Sequence, residues 1–178
     1  MASFATSYIP TGASQTTRAA DVATIQGSNF YSWFNQNEGS VAAQFTFSQV
    51  AGFPSPFSID GGTSLGSIST NRMQFYQNTN STALGFDVLT LGAGQANITF
   101  TGLNLTTNTK VVGAYKVNDF SAAVNNVLGT PDTSGITAIY DRLIIGRASP
   151  APTATCIVKS ISYYPQRLSD SVLKGLTA

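Results

Sequence analysis

The feature that most constrains this chain is a two-residue alternation of apolar and polar side chains that recurs along most of its length. In SVAAQFTFSQ, Val41, Ala43, Phe45 and Phe47 fall on one face, and the residues between them fall on the other. Successive side chains of a β-strand point to opposite faces, so this period predicts a half-buried strand.

Six further segments repeat the pattern. They begin at residues 72, 83, 96, 110, 141 and 156. RMQFYQ places Met73 and Phe75 opposite Tyr76, and KVVGAYKVND aligns Val111, Tyr115 and Val117. The last two segments, DRLIIG and CIVKSISYY, are apolar enough to predict central strands.

Turn-rich spacers such as GFPSP, DGGTS, QNTNS and GTPDTSG separate these segments. Strands that recur about every 10 to 15 residues, with no long helical pattern between them, favour an antiparallel sandwich over an α/β fold. We therefore expect an all-β, two-sheet β-sandwich of the jelly-roll type. The irregular residues 1–20 are predicted to form a lead-in arm, and residues 21–178 a single domain.

A short helix is predicted at the C-terminus. Ser169 is in position to be its N-cap, and Asp170 adds a negative charge at the positive end of the helix dipole. Leu168 can contact Val172 or Leu173 to fix the entry of the chain. We expect Val172, Leu173 and Leu176 to pack onto the edge of the sandwich.

The composition excludes several classes of function. The nine basic residues are scattered and the net charge is +1, which argues against a nucleic-acid partner. The chain has no histidine, and histidine is the commonest proton-transfer group and metal ligand. No cofactor or metal is therefore expected, although Asp60 beside DGGTS is a local candidate for calcium. No apolar run reaches the roughly 18 residues of a membrane span, so membrane insertion is not expected.

The acidic residues argue against a glycan hydrolase. Such enzymes usually need two carboxylates about 5 to 10 Å apart. The single glutamate, Glu38, stands in a predicted turn, and no two of the seven aspartates are spaced i, i+2 or i+4 along one strand. A pair assembled from distant strands, such as Asp60 with Asp119, remains open. We predict a protein that is not an enzyme.

Almost the whole chain carries a family resemblance, including VVGAYKVNDFSAAVNN and DRLIIGRA in its middle and late strands. The ending YYPQRLSDSVLKGL resembles the closing strand, Arg-Leu-Ser corner and short helix of concanavalin A-like, laminin-G-like jelly-roll domains. The opening ATSYIPTGASQTTRAADVATI and the segment WFNQNEGSVAAQFTF resemble lectin-like domains of bacteriophage virion proteins. This resemblance implies a tail or head fibre module that contacts a host-surface polysaccharide. The alternative is a capsid or tail decoration protein with no glycan ligand.

The resemblance also implies other virion proteins as partners and a homotrimer. It implies synthesis in the host cytoplasm without a signal peptide, followed by assembly into the virion. Sugars are bound by aromatic faces together with amides, carboxylates and hydroxyls. On that chemistry, eight residues are candidates for glycan binding: Tyr31, Trp33, Asn35, Tyr76, Asn118, Asp119, Asn125 and Arg147. For Trp33 a core position, and for the Asn and Asp candidates a plain turn position, are the competing interpretations.

Overall fold

Eleven strands and two short helices make up the part of the chain that the structure describes. The computed structural model describes residues 23–48, 53–62, 70–78, 82–146 and 156–178. The strands are β1 (Ala23–Gln26), β2 (Glu38–Phe47), β3 (Phe57–Gly61), β4 (Asn71–Gln77), β5 (Leu84–Thr90), β6 (Ala93–Phe100), β7 (Thr109–Lys116), β8 (Ser121–Val124), β9 (Val127–Leu128), β10 (Arg142–Ile145) and β11 (Cys156–Tyr164). The helices are α1 (Ser28–Tyr31) and α2 (Asp170–Leu176). The lead-in arm predicted for residues 1–20 lies outside these ranges.

The strands form two sheets. Sheet A has the order β1-β10-β3-β4-β5-β6, and sheet B has the order β11-β2-β7-β8-β9. Each pair of neighbouring strands is antiparallel. The prediction of an all-β, antiparallel two-sheet sandwich with a short C-terminal helix is therefore confirmed.

The core lies between the sheets and is built from the faces that the alternation predicts. Sheet B contributes Phe45 and Phe47, which are fully buried. Sheet A contributes Met73, Phe75 and Phe86, each at most 1% exposed. Burial of an aromatic or large aliphatic side chain contributes about 1.5–3 kcal/mol, so this paired layer is the main source of stability. The residues that alternate with these core positions along each strand lie on the outer face of the sheet.

Two strand predictions are wrong in detail. Val117 was expected on the core face with Val111 and Tyr115, but it is 49% exposed because β7 ends at Lys116 and a turn follows. The segment Cys156–Tyr164 was expected to be a central strand, but β11 lies at the edge of sheet B. A register shift between Val158 and Ser160 interrupts its pairing with β2. A bulge and a lysine, here Lys159, are common ways to protect an edge strand from further pairing.

Helix α2 packs on the outer face of sheet B instead of the sandwich edge. Leu173 is fully buried in a small cluster with Val112, Ala114 and Ala123, and Leu168 packs against it. Of the two predicted contacts of Leu168 at the start of the helix, the one with Leu173 is therefore formed. Val172 and Leu176 are exposed. A seven-residue helix is too short to be stable alone, so this contact holds it in place. None of the described helices has the length and apolar character needed to span a bilayer.

Candidate functional site

A polar surface covers the outer face of β4, β5 and β6, the three strands at one side of sheet A. Tyr76, Gly85 and Thr99 are direct cross-strand neighbours, and Gln74, Asp87 and Asn97 form the adjacent row. We call Gln74, Tyr76, Asp87, Asn97 and Thr99, arranged around Gly85, the sheet-face patch. It exists because core residues alternate with these positions along each of the three strands.

Gly85 makes room for the aromatic ring of the sheet-face patch. A methyl group at Gly85 would lie 2.7 Å from Cε1 of Tyr76, so the ring occupies the space that a side chain would fill. The Nδ2 of Asn97 donates a hydrogen bond to the Tyr76 hydroxyl at 3.5 Å, and Thr99 donates to Oδ1 of Asn97 at 3.0 Å. Asn97 and Thr99 are exposed and Tyr76 is half-buried. The patch thus presents an aromatic ring, an amide and a hydroxyl together.

Charged side chains lie at the buried side of the sheet-face patch. Arg72 donates from Nη2 to Oδ2 of Asp87 at 3.2 Å. The side chain of Asp87 is 7% exposed. Burial raises the pKa of the Asp87 carboxyl to about 6, against the opposing effect of the Arg72 guanidinium. Asp60 pairs with Arg142, and both of these residues are buried.

A concave surface lies at the opposite side of the sandwich. It is a groove of about 430 Å³ between the edge strands of the two sheets. We call it the edge groove; its lining residues are Ile25, Trp33, Leu143, Ile145, Val158, Lys159, Ser160, Ile161 and Tyr163. Four strand spacings separate β1 from β5, so the groove is about 19 Å from the middle of the sheet-face patch. Its lining is mainly apolar.

The aromatic candidates from the sequence lie in different places. Tyr76 belongs to the sheet-face patch and Trp33 to the edge groove. Trp33 also packs edge-on against Tyr163, with ring centroids 5.0 Å apart. Tyr31 is 53% exposed on α1 and is not among the residues of either surface, and its ring contacts Phe30.

The Asn and Asp candidates have structural partners. The backbone amide of Asn35 donates to the Tyr163 hydroxyl at 2.8 Å, and the Asn35 side chain donates to the carbonyl of residue 165 at 3.0 Å. Asp119 accepts two hydrogen bonds from Arg167, at 3.0 and 2.7 Å. Asn118 and Asn125 have positive φ angles of 58° and 45°. Each caps a backbone amide with its Oδ1.

Arg147 lies outside the described residues. The structure does not gather the other seven candidates into one site. Gln74, Asp87, Asn97 and Thr99 were missed as candidates. The alternation signalled that Gln74, Asn97 and Thr99 face away from the core, but the pairing of β4, β5 and β6 could not be read from it.

The open question of a distant carboxylate pair is answered for Asp60 and Asp119. Asp60 lies on β3 of sheet A with Arg142, and Asp119 follows β7 of sheet B with Arg167. The two carboxylates therefore pair with different arginines, one on sheet A and one beside the end of β7. Among the described residues, no three acidic or cysteine side chains are grouped to hold a metal ion.

Comparison with known proteins defines the class of fold. No protein-family model matches the sequence, and no curated protein matches it. Among solved structures, the chain is similar to the CBM40 domain of the Ruminococcus gnavus IT-sialidase bound to α2,3-sialyllactose. The TM-score is 0.64 at 15% identity, over 81% of this chain and 84% of that one.

Two larger proteins contain a similar domain. The leech intramolecular trans-sialidase matches with a TM-score of 0.63 at 15% identity, over 88% of this chain and 26% of that chain. The K499G mutant of the NanB sialidase from Streptococcus pneumoniae matches with a TM-score of 0.63 at 11% identity. The match covers 85% of this chain and 26% of that chain. This chain thus spans about a quarter of those enzymes. At these identities the likeness establishes the fold, a β-sandwich jelly roll of the kind seen in CBM40 domains.

Proposed function

We propose that this protein is a non-catalytic glycan-binding module and that the sheet-face patch holds the sugar. The observation that carries the proposal is the convergence of Tyr76, Asn97 and Thr99 on one accessible surface of sheet A. An aromatic ring packs against the C–H face of a sugar, and amides and hydroxyls hydrogen-bond its hydroxyl groups. The similar CBM40 domain is seen with sialyllactose, so a sialylated glycan is the first ligand to test.

Five of the seven described acidic residues support a non-catalytic role. Asp87 and Asp60 are paired with arginines on sheet A. Asp119 and Asp170 share Arg167, and Glu38 faces Lys116 at 3.5 Å. Carboxylates committed to cations in this way are poor candidates for the acid and base of glycoside hydrolysis.

The experiment compares two tyrosines. We expect Tyr76→Ala to abolish binding to sialylated oligosaccharides on a glycan array and in saturation-transfer NMR. Tyr31→Ala is the matched control, because Tyr31 is a more exposed tyrosine on α1. Loss of binding in the Tyr31 variant alone would place the sugar elsewhere, and absence of any glycan binding by the native chain would refute the proposal.

The only tryptophan of the chain gives a second readout. Trp33 lines the edge groove and not the sheet-face patch. We expect glycan binding to leave the Trp33 emission unchanged. A ligand-dependent shift of that emission would move the sugar to the edge groove.

The proposed setting is a bacteriophage virion, as part of a tail or head fibre, supported by the sequence resemblance along almost the whole chain. A trimeric fibre would present three patches to a host polysaccharide, and multivalent contact raises the overall affinity of weak sites. Detection of the protein in purified particles by mass spectrometry tests this setting, and its absence from them would overturn it.

A second candidate function is attachment to another virion protein without a glycan ligand. The apolar lining of the edge groove favours it, since such a lining fits an apolar side chain of a protein better than a sugar. Ile25→Asp, in the short edge strand β1, tests it. Loss of incorporation into particles with glycan binding retained would support an attachment role for the groove, and unchanged incorporation would refute it.

A further inference from the structure

Charged side chains form a cluster on the outer face of sheet A, beside the exposed part of the sheet-face patch. Arg142, Asp60 and Arg72 are consecutive cross-strand neighbours on β10, β3 and β4. Arg72 also reaches Asp87 on β5, at 3.2 Å. These four residues are two arginines and two aspartates, and the carboxyl of Asp141 lies 4.0 Å from Nε of Arg142.

Asp87 is the member of this cluster that is placed to change its charge. Its Oδ2 accepts from Arg72, whereas its Oδ1 is buried and accepts no hydrogen bond from any residue that the structure describes. Burial favours the protonated form and raises the pKa of the Asp87 carboxyl to about 6, against the opposing effects of Arg72 and Gln74. Among the residues that the structure describes, Arg72 and Tyr76 on β4 are the titratable groups nearest to it on this face of the sheet, with Asp60, Arg142 and Asp141 beyond them. The Asp87 charge also acts on the buried Tyr140.

Asp87 lies next to the exposed groups of the sheet-face patch. It is the direct cross-strand neighbour of Asn97, whose amide is exposed and bonded to Tyr76 and Thr99. Directly opposite residues of an antiparallel pair have Cβ atoms about 5 Å apart. A ligand group bound to the Asn97 amide therefore lies about 7 Å from the Asp87 carboxyl, which is close enough for one charge to alter its affinity.

We infer that Asp87 determines how strongly the sheet-face patch discriminates between anionic and neutral glycans. The ionised carboxyl repels an anionic sugar at the patch, and the protonated carboxyl does not. The affinity for a neutral sugar is the same in both states. This inference rests on the proposed function. Two unit charges about 7 Å apart near a protein surface, screened by salt at about 0.1 M, change a binding constant by about tenfold.

The test compares an anionic probe with a neutral one on the full chain. We expect 3′-sialyllactose, whose carboxylate stays ionised at both pH values, to bind about tenfold more tightly at pH 5 than at pH 7.5. Lactose should show no such change. Asp87→Asn should bind 3′-sialyllactose at pH 7.5 as tightly as the native chain does at pH 5, and should lose the pH dependence.

Asp132→Asn is the matched control. Asp132 lies on the connection between β9 and β10, where its Oδ1 accepts hydrogen bonds from Ser134. This variant should keep the native pH dependence. A pH dependence that survives in Asp87→Asn would overturn the inference, and so would equal affinities for 3′-sialyllactose at the two pH values.

A measurement without ligand separates this inference from the proposed function. The carboxyl ¹³C resonance of Asp87 in the native chain should titrate with a midpoint near pH 6. A midpoint below about 4.5, within the usual range of aspartate, would overturn the inference even if glycans bind. No glycan binding at any pH would refute the proposed function and the inference with it, whereas binding without pH-dependent discrimination refutes the inference alone.

Discussion

The distance between the two sheets is set locally by a contact between Gly113 and Phe86. Gly113 lies in the middle of β7, paired with Val41 and Ala122. A methyl group at Gly113 would lie 2.3 Å from Cε2 of Phe86 and 2.8 Å from Cδ2 and Cζ. Carbon atoms pack about 3.5 to 4.0 Å apart, so Gly113→Ala must move the ring or the sheet by more than 1 Å.

The expected cost follows from the rigidity of this layer. Phe86 is 1% exposed, and its ring centroid is 5.0 Å from that of Phe75, so it has no empty space to rotate into. Overpacking of a core by one or two carbon atoms costs about 1–3 kcal/mol. For a chain of this length, each kcal/mol shifts Tm by about 2–4 °C, so Gly113→Ala should lower Tm by about 2 to 12 °C.

Calorimetry and urea unfolding measure the effect, and a double mutant tests its cause. Phe86→Leu removes the ring edge that the new methyl would meet, so the two changes together should cost less than their sum by about 0.5–3 kcal/mol. Gly94→Ala on β6 is the control, because no atom lies within 4 Å of its added methyl. If Gly113→Ala melts like the native chain, or if the double mutant is additive, the sheet spacing is not set by this contact.

Two further predictions concern Asp87 and α2. A carboxyl whose pKa rises from 3.8 to about 6 on folding destabilises the native state once it ionises. The unfolding free energy of the native chain, measured relative to that of Asp87→Asn, should therefore fall by up to about 3 kcal/mol as pH rises from 4 to 7. Urea titrations measure this difference, and a difference that does not change with pH would contradict the prediction. Leu173→Ala should speed amide exchange in α2 at least tenfold while β2 and β7 stay protected, because Leu173 is the buried anchor of a short helix. Val172→Ala, at an exposed position of the same helix, should leave exchange unchanged, and equal effects of the two variants would argue against this anchoring.

The faces of the strands could be predicted from the sequence because the alternation is a local property. Phe45 and Phe47 are buried and Tyr76 faces away from the core, as the period required. The position of a strand within its sheet is not local, and that is where the prediction was wrong for β11. Val158, Ile161 and Tyr163 face the edge groove and the core next to it, while Ile157 is 59% exposed, so a high apolar content did not imply a central position.

In the candidate site, too, local properties could be predicted from the sequence and contacts between strands could not. That Tyr76 is available to solvent followed from the alternation, but its neighbours depend on which strands pair. Asp87 was read only as one of the scattered acids, because its burial and its contact with Arg72 arise across the β4–β5 pair. The role of these residues in glycan binding stays a prediction until the Tyr76 and Asp87 variants are measured.

Because the chain has few charged residues, we expect the charge of Asp87 to have a large effect on the electrostatic potential at the sheet-face patch. Only 10% of the residues are charged, and on sheet A the charges of Arg72, Asp60 and Arg142 are held in pairs or beside one another. The gain or loss of the Asp87 proton changes the net charge of this face by one unit. The affinity of an anionic sugar should then vary with salt as well as pH, with the difference between pH 5 and pH 7.5 shrinking as ionic strength rises from 0.01 to 1 M, because the Debye length falls from about 30 to about 3 Å. If the difference were the same at both ionic strengths, it would come from a change in the shape of the patch and not from the charge of Asp87.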